Sequence, residues 1–253
     1  MYKTLLVGGC ARSGTTALRE WLNSSPWFYI GDERFTKQAY TSDAFGLDLF
    51  DPPRFADVRE NDSYIPQGYV EIDADRIART VAIGGILGDK IPRLSNIKMR
   101  RKLKSDEMKY LIVVRNLFDV ASSYKARAEE GSQWAPGRGA MSAVKEWNRA
   151  VVWASKQVKK HNAYVLIYEN FFFGTDEPRD LYEFLQVPAE HVEALNTSLK
   201  SMREESARLE TRRLTILHPS ERMELCKQGK FGVYRKLLFD SPNISSAKPA
   251  PAK

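Results

Sequence analysis

The sequence predicts an α/β protein, a three-layer sandwich whose central parallel sheet is flanked by helices. Three observations predict it. A short β-like run at the start of the chain leads through a glycine-bearing loop into a segment with apolar residues at helical spacing, and the same order returns three more times. Strands that alternate with helices pair in parallel and are covered on both faces. The chain has 253 residues, 43% hydrophobic and 28% charged, enough for a sizeable core and too apolar for a disordered polymer.

Lys3–Val7 is the first strand, Gly8–Gly14 the loop, and Thr15–Asn23 a helix with Leu18, Trp21 and Leu22 on one face. Gly85–Leu87 precedes a helix expected around Leu94–Leu103. Lys109–Val114 precedes Leu117–Glu129, and Ala163–Tyr168 precedes Pro178–Leu185. Ala140–Lys160 aligns Val144, Trp147, Val151, Ala154 and Val158 as one helical face, a core-packing pattern. No Pro/Gly/Ser-rich linker interrupts residues 1–240, which read as one domain, and residues 241–253 read as a flexible tail.

The net charge is +7, with basic clusters at Lys98–Lys104 and at Lys227, Lys230, Arg235 and Lys236. A nucleic-acid-binding module is the non-enzymatic reading of that balance, but no aromatic platform is interleaved with Lys98–Lys104, so a solvated helix face is favoured there and no nucleic acid is expected. Cations that serve a compact anionic ligand are the third reading. Cys10 and Cys226 are too few for a disulfide scaffold. No apolar run reaches the roughly 18 residues of a membrane span, and the stretch before Cys10 is too short for a signal-peptide core. A soluble, cytoplasmic protein is expected.

Gly9-Cys10-Ala11-Arg12-Ser13-Gly14-Thr15-Thr16 lies between the first strand and the first helix, where unpaired backbone N–H groups and the helix dipole favour an anion. Gly9 and Gly14 keep the glycine spacing of a phosphate-binding loop, so the fold is P-loop-like. Thr15 replaces the lysine that would reach a γ-phosphate, and the cation has moved to Arg12. The strand Leu111–Val114 ends in Arg115 rather than in a magnesium-holding Asp. The loop therefore suits a phosphate ligand that needs no γ-phosphate, and no metal is expected. A P-loop kinase or nucleotide switch is the enzymatic rival, and these two departures argue against it.

A second constellation follows. Arg115 stands at a strand end, Asp119 can cap the next helix, and Ser123 and Arg127 fall on one face of it. Two guanidinium forks and a hydroxyl suit a phosphate monoester.

Together these residues resemble the sulfotransferases that use 3′-phosphoadenosine 5′-phosphosulfate (PAPS) and release the bisphosphate PAP. That family's phosphosulfate loop, Pro-Arg/Lys-Ser-Gly-Thr-Thr, is similar to Ala11-Arg12-Ser13-Gly14-Thr15-Thr16, with Ala11 in place of the usual Pro. Its 3′-phosphate motif, an Arg at a strand end and a Ser eight residues later, is similar to Arg115 and Ser123. The resemblance is closest to tyrosylprotein and bacterial glycan sulfotransferases, whose loop Arg is followed 21 residues later by a catalytic glutamate, here Arg12 and Glu33. It implies Lys90, in Gly88-Asp89-Lys90-Ile91-Pro92, as a catalytic cation beside Arg12, and Tyr168 as a nucleotide neighbour. It also implies Lys227–Gly232 as a late basic loop over the 3′-phosphate.

The implied reaction is in-line transfer of a sulfuryl group from PAPS to a hydroxyl acceptor with a general base. His161, His191 and His218 sit in no recognisable motif, so a carboxylate is expected. Glu33 is the first choice. Asp89 is the rival, because heparan-type members carry their glutamate directly before the lysine, and it reads at least as well as a polar residue that orients Lys90 or closes a turn. The aromatic segment Thr36–Tyr69 reads as an irregular insertion, equally an acceptor wall or lid and the ordinary packing of a long insertion, and Gln133–Gly139 with Trp134 and Arg138 as a gate. A glycan, lipid or small natural product is the expected acceptor, and a homodimer is left open.

Overall fold

The computed structural model describes residues 4–41, 45–66, 70–97, 107–129, 138–158, 160, 162–210 and 216–240. The expectations for Lys98–Lys104, Trp134, His161 and residues 241–253 lie outside that set. Five strands form one sheet: β1 (Thr4–Gly9), β2 (Phe28–Asp32), β3 (Ile86–Ile91), β4 (Met108–Val114) and β5 (Ala163–Ile167), in the spatial order β2-β3-β1-β4-β5. Every pairing is parallel.

Alternation along each strand divides the core. Leu6, Tyr110, Ile112, Val114, Val165 and Ile167 face one layer, while Leu5, Val7, Leu111, Val113, Tyr164 and Leu166 face the other. The first layer is built on α5 (Leu117–Glu129), α6 (Ala140–Gln157), α10 (Pro219–Gln228) and α11 (Phe231–Asp240). The second is built on α1 (Thr15–Asn23), α7 (Tyr168–Phe173), α8 (Arg179–Leu185) and α9 (Ala189–Glu210). This is the expected three-layer α/β sandwich with a central parallel sheet. Each fully buried Leu or Val in β1 and β4 contributes about 1.5–3 kcal/mol, and the apolar stripes of α1 and α6 are buried as their spacing predicts.

Three expectations need correction. The helix around Leu94–Leu103 is, in its described part, a single 3-10 turn at Leu94–Asn96, after which Ile97 is extended. Leu94 is wedged against Gly8, where even a Cβ would lie 2.5 Å from Leu94 Cγ, so the chain meets the sheet end in one turn. The edge strand β2 was not expected, because Gly31 and Asp32 break its apolar alternation. The stretch from Thr36 is not irregular throughout: it forms α2 (Thr36–Thr41), a 3-10 turn at Leu47–Phe50 and α3 (Pro52–Ala56), with α4 (Ala74–Ala82) following.

Parallel strands deliver their carboxyl ends to one edge. Gly9 of β1 is level with Val113, Lys90 of β3 pairs with Val7 and with Asp32 of β2, and Val114 pairs with Ile167. From β1 the chain crosses toward β2 and β3, whereas from β4 it crosses toward β5. The crevice between β1 and β4 is therefore a topological switch point, where ligands bind in open α/β sheets.

Candidate functional site

A cavity of about 330 Å³ opens at that edge. The phosphate loop contributes Ala11, Arg12 and Gly14, and α1 contributes Thr15, Thr16 and Ala17. Glu33 enters from the end of β2, Lys90, Pro92 and Arg93 from β3, Arg115 and Ser123 from β4 and α5, Arg138 from the approach to α6, and Tyr168 from the end of β5. Both anion motifs of the sequence thus border one space.

The loop conformation follows from its glycine. Gly14 caps α1 at φ 95°, and a Cβ there would stand 2.4 Å from the Tyr168 ring. No side chain caps α1 and no acidic residue occupies its first turn, so its leading N–H groups and dipole are directed at the cavity. Ser13 turns inward: its hydroxyl donates to the carbonyl of Cys10 at 2.5 Å and approaches that of Val113 at 3.4 Å. It braces the loop and does not line the cavity. Arg12 has φ 67° and Glu33 φ 57°, left-handed values that non-glycine residues adopt at a cost of about 1–2 kcal/mol. Such conformations cluster where function requires them.

Arg12 Nε donates to Ser123 Oγ at 3.0 Å, joining the first motif to the second. Arg115 is buried, and its guanidinium lies 4.0 Å from the centroid of the Tyr168 ring. Among the described residues its Nε has no hydrogen-bond partner, and Asp119 Oδ2 lies 3.8 Å from it. The backbone around it is held tightly. Trp147 Nε1 donates to the Arg115 carbonyl at 2.7 Å, and Glu169 accepts from the Asn116 N–H at 2.7 Å and from the Tyr234 hydroxyl at 3.2 Å. Burial raises the Glu169 carboxyl above its ordinary range despite those bonds and the nearby Arg115 charge. Arg127 is exposed one turn beyond Ser123 and does not line the cavity.

At the β2–β3 side, Lys90 is nearly buried and its ammonium pairs with Asp32 Oδ1 and with Glu33 Oε1, the latter at 3.0 Å. Glu33 is fixed through its backbone, its N–H donating to the Lys90 carbonyl at 3.0 Å and its carbonyl accepting from Ser63 Oγ at 2.6 Å. Asp89, the neighbour of Lys90, points to the opposite face of the strand. It is fully buried and accepts from the N–H groups of Arg34 at 2.9 Å and Phe35 at 2.8 Å. Burial pushes its carboxyl up to about 7, outweighing those two bonds and the Lys90 charge. Asp89 shapes the turn that presents Glu33 and does not border the cavity.

The aromatic segment is mostly core. Phe35, Phe45, Phe50 and Phe55 are buried and pack edge-on or tilted against one another. Beneath them Arg34, wholly buried, pairs with Asp62 at 2.5 Å and donates to the Asp57 carbonyl at 2.6 Å. Among its described residues only Tyr64 presents an exposed ring, stacked at 6.3 Å on the half-buried Tyr40. The late loop near Lys230 is pinned to α6, Asn148 accepting from the Lys230 N–H at 2.8 Å and donating to the Gln228 carbonyl at 2.9 Å.

Sequence reading missed Arg93 and Glu146. Arg93 follows the Lys90 turn directly, and a second cation so close to the first was an available signal. Glu146 lies on α6 and carried none, since it is one polar residue on an amphipathic helix.

No family model matches the chain, and no curated protein matches it in sequence. Solved structures match it in fold. A sulfotransferase from Alicyclobacillus acidocaldarius is 17% identical, with a TM-score of 0.52 over 95% of this chain and 96% of that one. The sulfotransferase domain of the Synechococcus PCC 7002 olefin synthase is 19% identical, with a TM-score of 0.51 over 90% of this chain and 94% of that one. The helix-flanked five-stranded parallel sheet described above is therefore the fold of these two sulfotransferases.

Proposed function

We propose that this protein transfers a sulfuryl group from PAPS to a hydroxyl acceptor. One observation carries the reading: Arg12 and Ser123 meet at 3.0 Å inside a cavity that also holds Arg115 on one side and the Glu33–Lys90 pair on the other. Anion sites at both ends and a carboxylate beside them match a nucleotide that presents a reactive group to an acid–base residue. Fold likeness to two sulfotransferases supports it.

The residues present fit the donor. Arg115 Nε is buried without a hydrogen-bond partner among the described residues, and the uncapped start of α1 borders the cavity. Arg115 and Ser123 would hold the 3′-phosphate, Thr15 and Thr16 the 5′-phosphosulfate, and Arg12 would stand between them. Tyr168, stacked on Arg115, closes the nucleotide side. When bound, PAPS supplies the activated sulfate and a phosphate leaving group.

Lys90 neutralises charge that develops toward the leaving group, an electrostatic contribution strongest where water is excluded. Glu33 accepts the proton of the acceptor hydroxyl. Its ion pair with Lys90 keeps the carboxylate oriented, and its clamped backbone holds it in place at left-handed φ. Asp89 is given no chemical step. A cavity of about 330 Å³ suits a nucleotide end and a small acceptor group, at the lower end of the roughly 300–1,000 Å³ of small-ligand pockets. A hydroxyl on a small molecule or a glycan terminus is the acceptor class this favours, and no metal enters the scheme.

Calorimetric titration with PAP in the presence of EDTA, followed by a screen of acceptors with sulfur-labelled PAPS, tests the reading. Metal-independent PAP binding and label transfer to a hydroxyl are expected. Tight binding of ATP with magnesium and none of PAP would overturn it in favour of a kinase-like enzyme.

A further inference from the structure

Glu146 reaches the phosphate loop from α6, and its two carboxylate oxygens have separate partners. Oε1 accepts from the Ala11 N–H at 2.8 Å and lies 3.7 Å from Cys10 Sγ. Oε2 accepts from Arg93 Nε at 2.7 Å. The Ala11 N–H belongs to the residue immediately before Arg12, whose φ of 67° the loop must sustain. Arg93 borders the cavity three residues beyond Lys90, and its own N–H donates to the Tyr40 hydroxyl at 3.3 Å. Both ends of the contact are largely shielded, with Glu146 at 17% and Arg93 at 24% side-chain exposure, so the ion pair is weakly screened.

We infer that Glu146 is a positioning residue: one oxygen locks the phosphate loop through Ala11, and the other aims the Arg93 guanidinium into the acceptor side of the cavity. The acceptor-side half of this inference rests on the reading of the cavity as a PAPS site; the locking half does not. The geometry separates the two tasks. Glu146→Gln can still accept from Ala11 N–H but presents an amide donor to Arg93, whereas Glu146→Ala loses both contacts.

Cysteine labelling reads the lock without any nucleotide. Cys10 is buried against Glu146 and Cys226 is exposed, so the wild-type protein has one slow and one fast thiol. Glu146→Ala is expected to speed Cys10 labelling by about 10-fold or more, the consequence of releasing a charge-assisted contact. Glu146→Gln should keep Cys10 protected. With PAPS and an accepted hydroxyl, Glu146→Gln should retain the wild-type KM for PAPS within about threefold and raise the acceptor KM by about 10-fold. Arg93→Gln should reproduce that acceptor effect and add little to it in the double variant. Unchanged Cys10 labelling in a folded Glu146→Ala protein would overturn the lock. Equal effects of Glu146→Gln on both KM values, or none, would overturn the division of roles. Failure of the wild-type protein to bind PAP would instead strike the donor reading and the acceptor-side role, leaving the labelling result to decide the lock by itself.

Discussion

The Nε atom of Arg12 lies 3.0 Å from the Oγ atom of Ser123, although 111 residues separate them in the chain. β1 and β4 are adjacent and parallel, so the loop that leaves β1 and the helix that follows β4 start side by side. The hydrogen bond ties together two motifs that line one cavity.

Arg115→Ala should weaken PAP binding by about 1.5–3 kcal/mol, the range for a hydrogen bond to a charged group. Titration calorimetry checks it. The fold should survive, since Trp147 and Asn116 anchor the segment through backbone contacts that alanine preserves. Unaltered affinity would remove Arg115 from the nucleotide site.

Glu33→Gln should reduce turnover by about 10²–10⁴-fold, the usual range for a general base. PAP affinity should stay close to wild type, because the Glu33 carboxylate is paired with Lys90 and would repel rather than hold a phosphate. Initial rates with labelled PAPS alongside PAP titration separate the two effects. Retention of turnover within about threefold would return attention to the other carboxylates near Lys90.

Gly14→Ala should damage the site through geometry alone. At φ 95° an L-residue is strained by about 1–2 kcal/mol, and its Cβ would collide with the Tyr168 ring. Displacing Tyr168 also removes the surface on which Arg115 stacks. A lowered melting temperature together with loss of PAP binding is the expected result; normal values for both would refute the close approach.

Asp62→Asn should destabilise the protein by about 3–5 kcal/mol, because it leaves the fully buried Arg34 without its counter-charge. Burial alone would raise the Asp62 carboxyl, but the Arg54 and Arg34 guanidiniums hold it below its ordinary 3.8. A depressed carboxyl contributes stability that is present above its unfolded value and is lost as pH falls through the folded one. Urea denaturation should therefore show the gap between wild type and variant closing at acid pH.

Asp89 works in the opposite sense. Its carboxyl rises from 3.8 to about 7 on folding, chiefly through burial. The folded protein binds the extra proton between those values, so this contribution is full below 3.8 and is lost as pH rises through about 7. Relative to wild type, Asp89→Asn should gain stability over that interval, as followed by denaturant midpoints. A variant that instead falls behind wild type as pH rises through that interval would contradict the buried, proton-retaining carboxyl.

Much of this was legible along the chain. The loop from Gly9 to Thr16 and the Arg115–Ser123 pair are short and local, so residue type and spacing reveal them directly. The strand–helix alternation was equally plain because β4 is an almost unbroken apolar run and α6 carries a helical periodicity. Less visible was β2, a short edge strand ending in Gly31 and Asp32. The aromatic run after Phe35 read equally as a binding wall and as packing, because composition does not tell whether rings face a ligand or one another. In the folded chain most of them pack together over the Arg34–Asp62 pair.

By itself the sequence determined the layered α/β pattern and the chemistry of the two anion motifs, because both depend on near neighbours and on backbone preferences. Tertiary structure alone decided which carboxylate meets the cavity. Adjacent strand residues point to opposite faces, and the register of β2 on β3 sets Glu33 beside Lys90 while Asp89 turns into the core. It alone brought Glu146 to a loop 135 residues away, since long-range contacts arise from packing and leave no local trace.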